Sequence, residues 1–185
     1  YKRQIEAYKT LFENIVNGNY TVSPYDEESY VNYVKLNKAR MHRWEKKGEL
    51  TDEMKTILSG ITTKQNWVLI TEPWCGDAAN SVPLIAKMAT LNSNINLEIQ
   101  LRDSASEIDR YLTNGGKAIP KLIVRDVNGE DLFVWGPRPE KAQALVLSQK
   151  EEDLTQDEKY ANILQWYMKD KGGSVQSEII SGLKK

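Results

Sequence analysis

The chain contains a single cysteine, Cys75, in a setting that favours a reactive thiol. It lies in the segment TEPWCGDAAN, after the apolar run WVLIT and before a segment with helical spacing. A thiol at the start of a helix faces free backbone N–H groups, which lower its pKa from about 8.5. A thiolate attacks disulfides and peroxides. The alternative is a buried, inert cysteine that packs as a small apolar residue. The junction favours a partly exposed thiol.

Two neighbours of Cys75 limit its chemistry. The residue three positions later, where a dithiol protein needs its second thiol, is Ala78. A mixed disulfide on Cys75 must then be resolved by a thiol from another molecule. Asp77 has two interpretations: it stabilises the helix dipole, by about 0.3–1 kcal/mol, or it exchanges protons beside Cys75. Its charge opposes a thiolate, so we expect the pKa of Cys75 to lie only moderately below that of a free thiol.

Composition argues against several classes of partner. The 185 residues carry a formal net charge of −1, with acids and bases interspersed, so we expect no nucleic-acid partner. No apolar run reaches membrane-spanning length, and we expect no membrane partner. One cysteine and one histidine, His42, cannot build a structural zinc site alone, so no metal is expected. Without an internal disulfide or a visible signal peptide, we expect a cytoplasmic location, although an upstream segment before Tyr1 could have been removed.

Residues 1–64 are predicted to form a helical N-terminal extension packed on the core. Apolar residues recur at helical spacing over the first seventeen positions. In VSPYDEESY, Ser23 is expected to cap a second helix with Pro24 in its first turn, ending near Gly48. Thr51 is expected to cap a shorter third helix.

Residues 65–150 alternate strands and helices. WVLIT is typical of a buried parallel strand, and a helical period follows over 77–91. INLEIQLRD alternates like a strand, after which Ser104 and Glu107 are expected to open a short helix. KLIVRDV and EDLFVW flank an NG turn as a hairpin, and GPRPEKAQ begins another helix. The pattern predicts one α/β domain.

Residues 151–185 are predicted to form a C-terminal helical extension. Thr155 and Glu158 have the spacing of a capping box for a long helix. After KGG, a short helix or a frayed tail is expected.

The middle of the chain resembles the thioredoxin family. WCGD stands at the first strand-to-helix junction and AIP precedes the third strand, and the NG turn and Gly136 follow in the same order as in that family. The resemblance covers a little under half of the chain. It implies a thioredoxin-like fold, a central mixed β-sheet flanked by helices, here with helical extensions at both ends.

The resemblance also implies roles for individual residues. Cys75 matches the attacking cysteine, and Pro120 matches the cis-proline beside it, so we expect a cis Ile119–Pro120 bond close to Cys75. Trp74 matches the tryptophan that shields the thiol, and the backbone of Ile119 would pair with an extended substrate peptide. The implied substrate-binding residues are Trp74, Gly76, Ile119, Pro120 and Gly136.

Three positions depart from the family pattern. Ala78 replaces the second cysteine, Leu69 replaces the buried acid that assists proton transfer, and the lysine that partners this acid is replaced at about Ile99. The two-thiol cycle therefore lacks both its resolving thiol and its proton relay.

Two functions from different classes remain open. In the first, Cys75, with Asp77 beside it, performs monothiol thiol–disulfide exchange on a protein or low-molecular-weight partner, with glutathione as a candidate co-substrate and no bound cofactor. In the second, the domain binds peptides without turnover. A third interpretation, a glutathione-assisted iron–sulfur site, is disfavoured because monothiol glutaredoxins typically carry Ser where Ala78 stands. Whether Cys75 turns over, and the oligomeric state, stay open.

Overall fold

The computed structural model describes residues 2–184, with side chains from Arg3 onwards. Three helices come first: α1 (Lys2–Val16), α2 (Glu28–Lys47) and α3 (Asp52–Ser59). The central part contains β1 (Gln65–Thr71), α4 (Gly76–Thr90), β2 (Ile95–Leu101), a 3₁₀ turn (Ile108–Arg110), β3 (Lys121–Arg125), β4 (Asp131–Trp135) and α5 (Glu140–Ser148). Two helices follow, α6 (Gln156–Asp170) and α7 (Gly173–Leu183).

The four strands form one mixed sheet in the order β2-β1-β3-β4. β1 runs parallel to β2 and antiparallel to β3, and β3 pairs antiparallel with β4. The apolar run of β1 is buried because this strand is central and covered on both faces. The α/β class and the thioredoxin-like architecture expected from the sequence are thus confirmed.

Leu69 and Ile99, which replace the two charged residues of the family, are neighbours in the sheet. They are paired across β1 and β2, and Leu69 is fully buried. The position of the usual buried acid is therefore occupied by a well-packed apolar side chain, which leaves no room for a proton relay there.

The sequence located two helix starts correctly and two wrongly. Thr51 accepts a hydrogen bond from the backbone of Met54, and Thr155 forms the expected capping box with Glu158. The second helix begins at Glu28 rather than after Ser23, because residues 23–26 form turns around a cis Ser23–Pro24 bond.

The second wrong start is the helix expected after Ser104. Only a 3₁₀ turn forms, because the Glu107 carboxylate binds Arg125 and the amide of Gln100 instead of capping a helix. A long-range ion pair therefore outweighs a local capping pattern here.

The helices outside the central part pack on it. α2 lies along α4, α1 contacts β2, and α7 covers β4. The end of the chain that could have been frayed is thus a helix, with Val175 and Ile179 fully buried. The division into 1–64, 65–150 and 151–185 stays a prediction.

Candidate active site

Cys75 lies at the N-cap of α4, where the sulfur meets the free end of the helix. The backbone N–H groups of Asp77 and Ala78 point at Sγ, and Sγ lies 3.4 Å from the carbonyl oxygen of Ile119. The placement expected from the sequence, at a strand-to-helix junction beside the AIP segment, is therefore found.

The environment of the thiol differs from the expectation. Cys75 is only 7% exposed, and burial raises its pKa to about 12, with the charge of Asp77 adding to the increase. The two backbone N–H groups and Arg138 oppose this shift without cancelling it. The expectations of a partly exposed thiol and of a pKa below the free value are both wrong, because loss of hydration outweighs the helix end.

The loop opposite Cys75 has the expected geometry. The Ile119–Pro120 bond is cis, and both residues are buried. Gly136 has φ of +110°, and a side chain there would collide with the carbonyl of Pro120. Lys121 donates to the carbonyl oxygen of Gly136 at 3.1 Å, which ties the two loops together. The prediction of a cis bond beside Cys75 is confirmed, and Gly136 is required for the close approach of these loops.

Trp74 forms one side of the opening above Cys75. The guanidinium of Arg102 lies 4.7 Å from the centre of its ring, and Tyr30 packs edge-on at 6.0 Å. Its indole Nε1 is buried and donates to no group in the described part of the chain. Trp74 is thus held between a cation and an aromatic ring, and it forms the wall of the cleft next to Cys75, where a tryptophan that shields the thiol is expected.

Asp77 is bound on two sides by residues that the sequence did not identify. Arg138, in the loop after β4, contacts one carboxylate oxygen through Nη2 at 2.6 Å and Nε at 3.0 Å. The hydroxyl of Tyr167, on α6, donates to the other oxygen at 2.7 Å. The side chain of Asp77 is largely buried in this network, so its role is more than that of an exposed acid at a helix end.

Gly76 lies directly under an aromatic ring from the C-terminal part. A Cβ atom at this position would meet the hydroxyl of Tyr160 at 2.5 Å. Arg40 on α2 donates to the same hydroxyl at 2.8 Å, and Tyr33 packs edge-on against the ring at 6.2 Å. Helices α2 and α6 thus meet above the first turn of α4, and residues far apart in the chain complete the site.

A second carboxylate lies just before Cys75. Glu72 is buried, and its oxygens accept from the hydroxyl of Tyr25 at 2.5 Å and the backbone N–H of Asp103 at 2.9 Å. Burial raises the pKa of Glu72 above its ordinary value, although both hydrogen bonds oppose the shift. Local sequence patterns do not identify this residue, because its partner Tyr25 is 47 positions away.

Cys75 opens into a cleft of about 550 Å³, which we call the Cys75 cleft. Its lining is aromatic and basic, with Asp77 and Asp157 as the acids: Tyr30, Tyr33, Trp74, Cys75, Gly76, Asp77, Arg102, Lys117, Ala118, Ile119, Arg138, Gln156, Asp157 and Tyr160. Of the predicted substrate-binding residues, Trp74, Gly76 and Ile119 line this cleft, while Pro120 and Gly136 support it from behind.

The side chains of His42 and Trp135 lie outside the Cys75 cleft. His42 is exposed in the groove between α1 and α2, and does not line the Cys75 cleft. Trp135 is buried, and its indole donates to Glu178 on α7, so it packs rather than lining the cleft. Among residues 2–184, no group of three or more metal-binding side chains comes together. No described helix is both long and apolar enough to cross a bilayer.

Comparisons with known proteins agree with this architecture. A family model described as Thioredoxin matches residues 23–159. A crystal structure of a protein of unknown function from Pseudomonas aeruginosa is similar, with a TM-score of 0.60 and 16% identity over 83% of this chain and 89% of that one. An HIV epitope-scaffold gives a TM-score of 0.59 and 19% identity, over 83% of this chain and 90% of the scaffold. These identities are low and show the fold alone. No curated protein matches the chain.

Proposed function

The chain belongs to the thioredoxin family, and from this premise we propose that it performs monothiol thiol–disulfide exchange through Cys75. The observation that carries the proposal is the position of Sγ. It lines the Cys75 cleft between the N–H groups of Asp77 and Ala78 on one side and the carbonyl of Ile119 on the other. An attacking thiolate needs hydrogen-bond donors that stabilise its charge and open space beside it for the second sulfur, and this arrangement can provide both.

The exchange takes place in two balanced steps. The Cys75 thiolate attacks one sulfur of a disulfide, forming a mixed disulfide and releasing the other sulfur as a thiolate. A second external thiolate then attacks the mixed disulfide, forms a new disulfide and returns the Cys75 thiolate. Ala78 cannot take part in the second step, so both electrons come from thiols outside the chain.

The partners of this exchange follow from the cleft. Its open lining of aromatic and basic side chains suits a protein segment or a low-molecular-weight disulfide, and glutathione is the proposed external thiol. The proposal includes a reducing, cytoplasmic setting, where such a thiol is abundant. It includes no bound cofactor or metal and no nucleic-acid or membrane partner.

One observation favours a second candidate, a peptide-binding module without turnover. A thiol whose pKa lies at about 12 is almost entirely protonated at neutral pH, and Cys75 is 7% exposed. In this alternative the Cys75 cleft holds an extended segment against the backbone of Ile119, and Cys75 is only part of the floor.

The alkylation rate of Cys75 distinguishes the two functions. We would measure it with iodoacetamide from pH 6 to 10, and record intact mass after incubation with oxidised glutathione, using Cys75→Ser as the unreactive control. Exchange predicts one glutathione adduct that reduced glutathione removes. A folded protein that gains no adduct, even at high pH, would support the binding module and contradict exchange.

A resolving thiol tests the same proposal from the other direction. Reduction of a standard disulfide by the unmodified protein should be poor, and Ala78→Cys should add some activity. The gain should stay below that of a complete thioredoxin, because Leu69 is buried where the proton relay would be. Robust turnover of the unmodified protein with a thioredoxin reductase as sole reductant would contradict the monothiol cycle.

A further inference from the structure

A second cavity adjoins the Cys75 cleft, and the proposed exchange does not use it. This cavity, the α5–α6 pocket, lies between α5, α6 and the first turn of α4 and has a volume of about 440 Å³. It shares five lining residues with the Cys75 cleft, but Cys75 does not line it: Gly76, Asp77, Arg138, Gln156 and Tyr160. Small-molecule sites typically have volumes of about 300–1,000 Å³, so the size suits a small ligand.

The charge of the α5–α6 pocket is positive and largely uncompensated. Arg138, Lys150 and Lys159 line it, and Asp77 is the one acidic residue in its lining. The carboxylate of Asp77 is already occupied by Arg138 and Tyr167. Neither lysine forms an ion pair with any residue in the described part of the chain, so two ammonium groups remain available to an anion.

A buried amide supplies a second, independent observation. Gln149 is 2% exposed and lines the pocket. Its Oε1 accepts from Asn162 at 2.7 Å, whereas its Nε2 donates to no protein group within residues 2–184. Asn162 holds the amide by its oxygen, so the Nε2 hydrogens stay available to a ligand oxygen in the pocket.

The remainder of the lining is apolar. Val146 on α5 and Ile163 and Leu164 on α6 border the pocket. Apolar side chains beside free ammonium groups suit a ligand with a charged end and an apolar end, because the apolar end contacts the apolar side chains and the charged end contacts the ammonium groups.

We propose that the α5–α6 pocket binds a small carboxylate with an apolar tail. Its two carboxylate oxygens accept from the Gln149 amide and from the ammonium groups of Lys150 and Lys159. The tail lies against Val146, Ile163 and Leu164. The binding does not require exchange at Cys75, so it can hold or fail independently of the proposed function.

Titration calorimetry of the whole chain tests the charge requirement, with octanoate as the probe. Octanoate should bind saturably. Octylamine and 1-octanol have the same tail without the negative charge, and should bind at least about tenfold more weakly, a difference of ~1.4 kcal/mol. Equal binding of octylamine, or no saturable binding of octanoate up to about 10 mM, would overturn the proposal.

Two variants test the location. Lys159→Glu should weaken octanoate at least about tenfold, and Gln149→Leu should do so without any change of charge. Lys169→Glu makes the same charge reversal on an exposed position of α6 outside the pocket, and should leave affinity within about twofold. Circular dichroism verifies that each variant is folded.

Two further variants separate the pocket from its neighbour. Lys117→Glu reverses a charge in the Cys75 cleft alone, and Cys75→Ser removes the thiol. Both should bind octanoate like the unmodified chain. If Lys117→Glu weakens binding while Lys159→Glu does not, the anion lies in the Cys75 cleft and the assignment to the α5–α6 pocket is wrong.

Discussion

Two carboxylates flank Cys75 in the sequence, Glu72 before it and Asp77 after it, and they are bound by different kinds of partner. Glu72 accepts hydrogen bonds from a neutral hydroxyl, that of Tyr25, and from the backbone N–H of Asp103, and forms no ion pair with the described residues. Asp77 pairs directly with Arg138 and accepts from Tyr167. Burial raises the pKa of Glu72, whereas Asp77 is balanced by a cation within contact distance.

The difference assigns different tasks to the two acids. After burial, the charge of Asp77 is the largest cause of the raised pKa of Cys75, and Glu72 is not among the main causes of that shift. The region of Asp77, built by α6 and the loop after β4, therefore tunes the thiol. The region of Glu72 joins the turn at Tyr25 to the segment after β2, which is a structural task.

The largest expected effect is on stability at the Asp77 side. Asp77→Asn leaves the guanidinium of Arg138 without its counter-charge in a site where that side chain is 22% exposed. We expect a loss of about 2–3 kcal/mol, somewhat below the range for fully buried pairs. This exceeds the value for an exposed acid at a helix end. Urea unfolding at pH 7 measures this loss of stability. A loss below about 1 kcal/mol would show that Asp77 only stabilises the helix dipole.

Removing the neutral partner tests the Glu72 side. Tyr25→Phe takes away a hydroxyl that donates at 2.5 Å and leaves the buried carboxylate with the Asp103 backbone alone. We expect a loss of about 2 kcal/mol at pH 8, where the carboxylate is charged. At pH 4 the loss should shrink, because a protonated carboxyl needs that donor less. Equal losses at both pH values would contradict a charged Glu72 at pH 8.

The thiol itself should report only one of the two acids. Asp77→Asn should lower the pKa of Cys75 and speed its alkylation at pH 8 by about tenfold, equivalent to ~1.4 kcal/mol, since Arg138 then acts unopposed. Glu72→Gln is the matched control and should leave the rate unchanged. A slower reaction in folded Asp77→Asn would show that Asp77 acts as a base or an organiser for Cys75.

The smallest expected effect is a pH dependence that belongs to Glu72. Its pKa in the folded state is raised, so between its ordinary and raised pKa the fold holds a proton that the unfolded chain has lost. Stability from this group is therefore full below pH 4 and falls as pH rises through that window. Unfolding from pH 4 to 8 should show a decline in the unmodified chain that Glu72→Gln lacks. Parallel curves for the two proteins would contradict the assignment.

Local patterns in the sequence predicted most of the fold. The apolar run of β1, the NG hairpin, the N-cap at Thr51 and the capping box at Thr155 are each short-range, and the structure agrees with all of them. The helix expected after Ser104 failed because Glu107 is drawn to Arg125, 18 positions away. The spacing of neighbouring residues in the sequence carries no information about such long-range partners.

The candidate site divides in the same way. Cys75, Pro120 and Gly136 could be found from motifs, because the backbone geometry demands those residue types. Apart from Asp77, the residues that set the pKa of Cys75 could not be found from the sequence. Arg138 and the α6 tyrosines reach the turn from 61 to 90 positions away, and burial of the thiol results from all of these elements together. A helix N-terminus alone suggested the opposite sign of the pKa shift.

The position of Tyr160 has a consequence for how relatives of this chain are compared. The family match ends at residue 159, and the next residue is the ring that covers Gly76. Sequences trimmed to the matched region keep the cysteine, its glycine and the cis-proline, and lose Tyr160 and Tyr167. Members that look alike in a trimmed comparison can thus differ in the reactivity of the same cysteine. Sorting them by the aromatic residues one and eight places beyond that boundary would group them by chemistry rather than by ancestry.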